Sequence, residues 1–432
     1  MKPMIFAYAA PLLAIWLLYF LVRRKHEQAS LATREEAIKS GLTEPASLHP
    51  LIDPAKCLGC GACVSACPEG KILGLIDGKA VLIEPTQCIG HGACKASCPT
   101  GAISLVFGTE KRGVDIPHVG PDFQTNVPGM YIAGELGGMG LIGNAIEQGR
   151  QAVESIRACN SSAGSERLDL VIIGAGPAGF SASLAAMQHN MRFVTVEQDS
   201  LGGTVSHFPR GKLVMTRPAK LPIVGKMNFR EISKEKLLSF WQSAEQKSGL
   251  KINYEERVED IAAAGDGFEV RTTRGRYHAN SVLLAIGRRG TPRKLGVPGE
   301  ELPKVVYRLV DPEQYRGKHV LVVGGGDSAL EAAASIAEEP GTTVTLSYRN
   351  DSFSRAKLKN RQRIEKARRE GRLSVLFESN VKRIGNHDAE LEKAGKRIIG
   401  RNDAVVVCAG GILPTGFLKT IGIQVETKHG TA

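Results

Sequence analysis

Seven of the nine cysteines fall between Cys57 and Cys98, and their spacing is the feature of this chain most able to do chemistry. Residues 57–67 read C-L-G-C-G-A-C-V-S-A-C and run into Pro68; residues 88–98 read C-I-G-H-G-A-C-K-A-S-C and run into Pro99. The second segment repeats the first with a shift of 31 residues at every ligand position. Thiols spread through a short secreted chain read as a disulfide scaffold, whereas tight, repeated spacing in a large chain reads as metal binding. One position breaks the repeat: His91 stands where Cys is expected. A neutral imidazole can ligate iron, and replacing a thiolate by it removes negative charge and should raise the reduction potential. The alternatives are a three-iron cluster with His91 unligated, or a degenerate site.

Over residues 51–107 this pattern resembles the bacterial dicluster ferredoxins. In such proteins short spacing wraps the backbone around a cubane, and the fourth Cys of each run ligates the other cluster. The resemblance therefore implies Cys57, Cys60, Cys63 and Cys98 as ligands of one 4Fe–4S cluster. It assigns Cys67, Cys88, Cys94 and position 91 to the second, which is either a 4Fe–4S cluster with His91 bound or a 3Fe–4S cluster.

Two glycine-rich turns offer a second chemistry, the cradling of phosphates. An apolar strand, L-V-I-I, runs into G-A-G-P-A-G, residues 174–179, then a helical stretch, then the strand FVTVE ending in Glu197. Gly174, Gly176, Pro177, Ala178 and Gly179 form a tight turn that lets backbone approach a pyrophosphate at the positive end of the helix. Glu197, at the tip of the second strand, is placed to hold a ribose hydroxyl. The arrangement recurs at HVLVVGGGDSA, residues 319–329, where Gly324, Gly326 and Ala329 take the turn positions and Asp327 and Ser328 open the helix. Here the second strand ends in Ser347, Tyr348 and Arg349, with Arg355 nearby. Loss of the acid and gain of arginines favours a 2′-phosphate, hence NADP over NAD; solvated surface arginines are the alternative.

Between these units, SVLLAIGRRGTPRKLGVPG, residues 281–299 and including Gly287, resembles the crossover of flavoproteins with two dinucleotide-binding domains, and VVVCAGGILPT at 405–415 resembles its partner. Residues 166–432 thus resemble the thioredoxin-reductase-like group. The resemblance implies an NADP-binding domain inserted into an FAD-binding one, with Gly202, Gly203 and Thr204 against the flavin. That group closes with a strand and T-x-V-P-G-x-Y-x-x-G-D. This chain stops without that segment, yet its equivalent stands upstream at residues 123–156, so the FAD domain reads as circularly permuted. Chain termini often lie close together, which makes permutation physically easy. It predicts that the C-terminal tail returns beside Gly113–Phe123. Gly134 and Glu135 then occupy the flavin-contacting positions, with Glu135 in place of the group's Asp. The helix at Asn144 and Ala145 aims its positive end toward the flavin ring. The redox Cys-x-x-C of thioredoxin reductases is missing, so iron–sulfur chemistry replaces thiol chemistry, and no side chain is required as acid, base or nucleophile.

The elements that must position these groups make an α/β protein: two dinucleotide-binding (Rossmann-like) domains, a small α+β dicluster ferredoxin domain and one N-terminal transmembrane helix. Met4–Val22 carries no charge, and nineteen residues at ~1.5 Å rise just cross a ~30 Å hydrocarbon core. Pro11 is tolerable there, and Trp16, Tyr19 and Phe20 suit the interface. Arg23, Arg24 and Lys25 follow the span rather than precede it, which disfavours a signal peptide and places the catalytic domains in the cytoplasm. The expected divisions are an anchor at 1–25, a linker at 26–50, the ferredoxin domain at 51–107, the permuted segment at 108–160, the FAD domain at 166–290, the NAD(P) domain at 291–410 and a return strand at 411–432. In 432 residues of net charge +12 the basic run 355–372 suits an anionic lipid, an acidic protein, a phosphate or plain solvent. No nucleic acid is expected as a partner. The expected function is electron relay at a cell membrane between NAD(P)H, FAD and two clusters. The acceptor is a quinone, a cytochrome, a ferredoxin or another subunit, and homodimers are frequent in this fold. The rivals are a membrane redox sensor or assembly scaffold, and a disulfide or small-protein reductase of unusual route.

Overall fold

The computed structural model describes residues 2–39, 42–45, 48–70, 72–88, 90–110, 113–138, 140–159, 167–216, 218–229, 231–353 and 356–430, the side chains of 2–11 and 215 excepted. The chain forms two compact units, one of residues 1–114 with 428–432 and one of residues 115–427.

In the first unit a helix runs unbroken over Lys2–Lys39. Its charged half is not a linker: Glu27 accepts from the Asp77 amide at 2.6 Å, and Gly74 leaves room for the Ser30 hydroxyl. The membrane anchor expected at Met4–Val22 is not borne out, because no helix among the described residues is long and apolar enough to cross a membrane. The side chains of Met4–Pro11 lie outside the described residues. With the span goes the reason to place the chain at a membrane and its catalytic domains on the cytoplasmic side.

The rest of this unit is built from the sequence repeat. The strand ahead of the first cysteine run, His49–Ile52, pairs antiparallel with the strand after the second, Ile103–Val106; the hairpin Leu73–Ile76 with Lys79–Leu82 lies between the runs. Each run ends in a short helix, Ala62–Ala66 or Ala93–Ala96, preceded by a glycine at φ 76°, ψ 1°. A side chain is costly in that left-handed conformation, so Gly61 and Gly92 turn each run about its centre in the same way.

In the second unit one sheet has the order Val258–Ala264, Gly267–Thr272, Arg276–Leu284, Leu168–Ile173, Phe193–Val196, with Met130–Ile132 also against Arg276–Leu284. The strands around its centre are parallel, with Leu284 opposite both Ile132 and Ile173, and Ile173 opposite Val196. Leu170, Val171 and Ile172 are fully buried, as a parallel strand covered on both faces requires, and each contributes about 1.5–3 kcal/mol on burial. A second parallel sheet runs Val305–Val306, Ala404–Val407, His319–Val323, Thr343–Ser347, Leu373–Leu376. The two crossings between the sheets pair as Thr291–Pro292 with Gly411–Ile412. The C-terminal tail runs beside residues 115–126: the His118 amide donates to Gln424 at 2.9 Å, Asn126 bridges Gly422 and Gln424, and Thr427 donates to Asp115.

Candidate nucleotide and cluster sites

Register decides which residues gather at the first glycine turn. Because Ile132, Ile173, Val196 and Leu284 end level, Gly134, Gly174, Glu197 and Gly287 follow them at one carboxyl edge, where open α/β sheets bind ligands. Gly176 precedes the helix Pro177–Gln188, with Pro177 in its first turn. A Cβ on Gly134 would stand 2.9 Å from that of Ala178, and one on Gly203 would stand 3.1 Å from the Gly176 Cα. The upstream segment and the G-G-T turn at 202–204 therefore both close on the first glycine turn through nearly bare backbone. Gly179 is buried beneath it, and a Cβ there would collide with the Gly174 carbonyl. Gly134 donates to Gln148 at 2.8 Å, tying the turn to the helix Ile142–Cys159 that carries Asn144 and Ala145.

Glu197 is buried, and its two oxygens accept from the Ala175 and Asp199 amides at 2.6 and 2.9 Å. Burial pushes this carboxyl up while those amides pull it down; each oxygen keeps lone-pair capacity for a ribose hydroxyl. Glu135 is solvent-exposed, though protein atoms crowd around its carboxyl. That desolvation raises its carboxyl pKa, and Arg288 opposes the shift. These residues suit FAD: a backbone cradle for pyrophosphate and an acid at the ribose end.

At the second turn, a Cβ on Gly324 would meet the Cys408 carbonyl, and Ala329 is fully buried beneath it. Gly326 precedes the helix Asp327–Ala337, and Ser328 is exposed. Asp327 accepts from the Lys357 amide at 2.8 Å and from Asn360 at 2.7 Å, fastening those residues to the second glycine turn. Ser347 turns inward to Ser379 at 2.7 Å, and Arg349 is exposed beyond Tyr348. Arg355 lies outside the described residues. Burial pushes the Cys408 thiol up to about 12, which leaves it without thiolate character at neutral pH.

Two features of this unit escaped the sequence reading. Gly149 packs against the Ala178 backbone, a small-residue spacing (Ala145, Gly149, Ala152) that the sequence does carry. His207 meets Asp199 at 3.1 Å and Arg308, and burial with the charge of Arg308 pushes it down to about 4.

In the first unit Cys67, Cys88, His91 and Cys94 line one cavity. The cysteine that closes the first run thus lies with those of the second run. Among the described residues no three His, Cys, Asp or Glu side chains converge on a point fit for a single ion; this set is instead spread around the cavity wall. Burial raises the Cys63, Cys67 and Cys94 thiols, and takes Cys88 to about 11. A cationic core supplies the charge needed to ionise thiols so placed. Cys60 is exposed. The Ala80 amide donates to Cys57 at 3.4 Å and the Ala102 amide to Cys98 at 3.3 Å. The residues fit iron–sulfur cores, with His91 the only non-thiol of the second set.

A family model described as pyridine nucleotide-disulphide oxidoreductase matches residues 171–431, and the chain belongs to that family. A 4Fe-4S dicluster domain model matches residues 49–99. The chain is thus an FAD-dependent NAD(P)H oxidoreductase with an iron–sulfur domain. It is 28% identical over 265 residues to ferredoxin–NADP reductase of Ignicoccus hospitalis, covering 60% of this chain and 83% of that protein. It is 31% identical over 278 residues to the ferredoxin–NADP reductase of Thermus thermophilus, covering 60% and 78%. Among solved structures it resembles the bacillithiol disulfide reductase Bdr of Bacillus cereus, with TM-score 0.53, 25% identity and coverage of 60% and 82%.

Proposed function

We propose that this chain oxidises NADPH and passes the electrons singly through its two iron–sulfur clusters to a one-electron acceptor. Bound FAD supplies the conversion between a two-electron hydride and single electrons, which neither nicotinamide nor a cluster provides. The residues that would hold it are Gly134, Glu135, Gly174 to Gly179, Glu197, Gly202 to Thr204 and Gly287, with the positive end of the helix at Asn144 and Ala145 turned to the ring. Gly324 to Ala329 would receive the NADPH pyrophosphate, and Arg349 with Arg355 its 2′-phosphate. Cys57, Cys60, Cys63 and Cys98 would hold one cluster, and Cys67, Cys88, His91 and Cys94 the other. On this reading residues 108–160 are the displaced end of the FAD domain.

The observation that carries the reading is the shared carboxyl edge. Met130–Ile132 lies beside Arg276–Leu284, so Gly134 reaches Ala178 although the two come from opposite ends of the permuted domain. A thiol route is opposed by Cys408, the one cysteine near the second turn, whose pKa stands at about 12.

Anaerobic addition of NADPH to reconstituted protein tests the proposal. Cluster absorption should bleach together with flavin, and reduced-cluster EPR signals should develop. Flavin bleaching with unchanged cluster spectra would refute the relay.

A further inference from the structure

The repeat that places the cysteines also aligns the residues after them, and two of the differences between the halves exchange a candidate ligand or a carboxylate. Shifted by 31 residues, Cys60 corresponds to His91, and Glu69 corresponds to Thr100. In sequence these departures fall in opposite halves. In space they fall together, because the arm Cys67–Pro68–Glu69 closes on the second run: Cys67, Pro68 and His91 line the same cavity, and Glu69 Oε1 stands 3.4 Å from His91 Nε2. Thr100 instead accompanies its own cysteine, at 3.6 Å from Cys98 Sγ. Glu69 Oε1 is buried and has no hydrogen-bond partner at ideal geometry, a costly condition for a carboxylate.

We propose that Glu69 is the positioning residue of the second cluster: its carboxylate accepts from His91 Nε2–H and so presents Nδ1 to iron. A ligating histidine ordinarily gives its other ring N–H to such an acceptor, which fixes the tautomer and makes the ligand more basic. Glu69 also restores charge. Exchanging a thiolate for a neutral imidazole removes one negative charge from the ligand set, and a carboxylate at the imidazole's far side returns one. The second cluster is therefore held at a lower potential than His ligation alone would set, closer to that of a four-cysteine site, and the sequence-based expectation of a raised potential is offset. Glu69 and His91 act as one substitution split between two arms.

This inference rests on the reading that the second ligand set holds an iron–sulfur cluster, but not on the relay from NADPH. The test accordingly uses dithionite as reductant on full-length reconstituted protein. With 15N-histidine incorporated, the reduced second cluster should show 15N hyperfine coupling that disappears in His91→Cys. In Glu69→Gln, iron content and that coupling should persist, while the second midpoint rises by tenfold or more in the reduction equilibrium, about 59 mV for one electron. The first midpoint should stay in place, and Glu69→Asp should return the second toward wild type. Absence of 15N coupling in wild type overturns the proposal, as does a smaller rise in Glu69→Gln. So does loss of the second cluster's iron from that variant, which would make Glu69 an iron ligand. Failure of NADPH to reduce clusters that dithionite reduces normally would count against the relay alone.

Discussion

Replacing Gly149 by alanine tests the rebuilt flavin cradle through the sign of its effect. Gly149 lies inside the helix Ile142–Cys159, where alanine is the better helix former by about 1 kcal/mol. If that helix merely covered a surface, Gly149→Ala would stabilise the protein by about that amount. In the structure, a Cβ on Gly149 would stand 2.0 Å from the Ala178 carbonyl oxygen and 2.9 Å from its carbon. Ordinary contact begins at about 3.4 Å, so the helices must separate by about 1.4 Å, backbone against backbone. Overpacking of this kind costs about 1–3 kcal/mol, and a rigid backbone neighbour puts it at the upper end. Net of the helix gain, the loss is about 2 kcal/mol. For a unit spanning Asp115–Thr427, at about 2.1 cal/mol/K of unfolding entropy per residue, that lowers Tm by about 3 °C. The displaced partner is the opening turn of the helix Pro177–Gln188, so FAD retention should fall as well. Differential scanning fluorimetry followed by the flavin-to-protein absorbance ratio of the desalted variant reads both. A Tm equal to or above wild type, with FAD retained, would show that the 142–159 helix does not pack on the first glycine turn.

Three further outcomes follow from the geometry. Cys67→Ser should remove the EPR signal shared with Cys88→Ser and Cys94→Ser while sparing that lost in Cys57→Ser; loss of the Cys57-dependent signal instead would mean uncrossed ligation. Arg349→Ala should raise the KM for NADPH about 10- to 100-fold, the worth of a charge-assisted hydrogen bond, and leave the KM for NADH within about twofold. Equal effects on both cofactors would remove Arg349 from the 2′-phosphate. His207 is held neutral in the folded protein down to about pH 4, whereas in the unfolded chain it titrates near 6.5. Between those values the unfolded state binds the extra proton, so stability is complete above about pH 6.5 and is lost as pH falls toward 4, by up to about 3 kcal/mol. Urea midpoints measured over this range should fall less steeply for His207→Gln, and parallel slopes would show that His207 is protonated in the native state.

The reach of sequence reasoning depended on how local each signal was. Strand, glycine turn, helix and strand are consecutive in both units, so both turns were legible, and Glu197 does stand at the tip of the second strand of the first unit. The strand Met130–Ile132 beside Arg276–Leu284 was foreshadowed by the V-P-G-x-Y pattern leading into it, a local signal too. The apolar run at the N-terminus misled. Counting apolar residues reports what a helix would tolerate, and not that it continues to Lys39 with Glu27 and Ser30 docked on the hairpin at Gly74–Asp77. Glu69 was visible in the repeat as the counterpart of Thr100, but nothing local marked it as a neighbour of His91.

By itself the sequence determined the inventory of chemistry: which residues can ligate iron, which turns can admit phosphate, and that the stretch ahead of the second glycine turn carries no cysteine. Those depend on residue type and short spacing, which the covalent chain sets. Tertiary structure alone decided the groupings: Cys67 with Cys88 and Cys94, Gly134 with Ala178, and Glu69 with His91. Each pairs residues that chain connectivity leaves free to part. Strand register and close backbone packing bring them together, and neither acts until the sheets and helices have assembled.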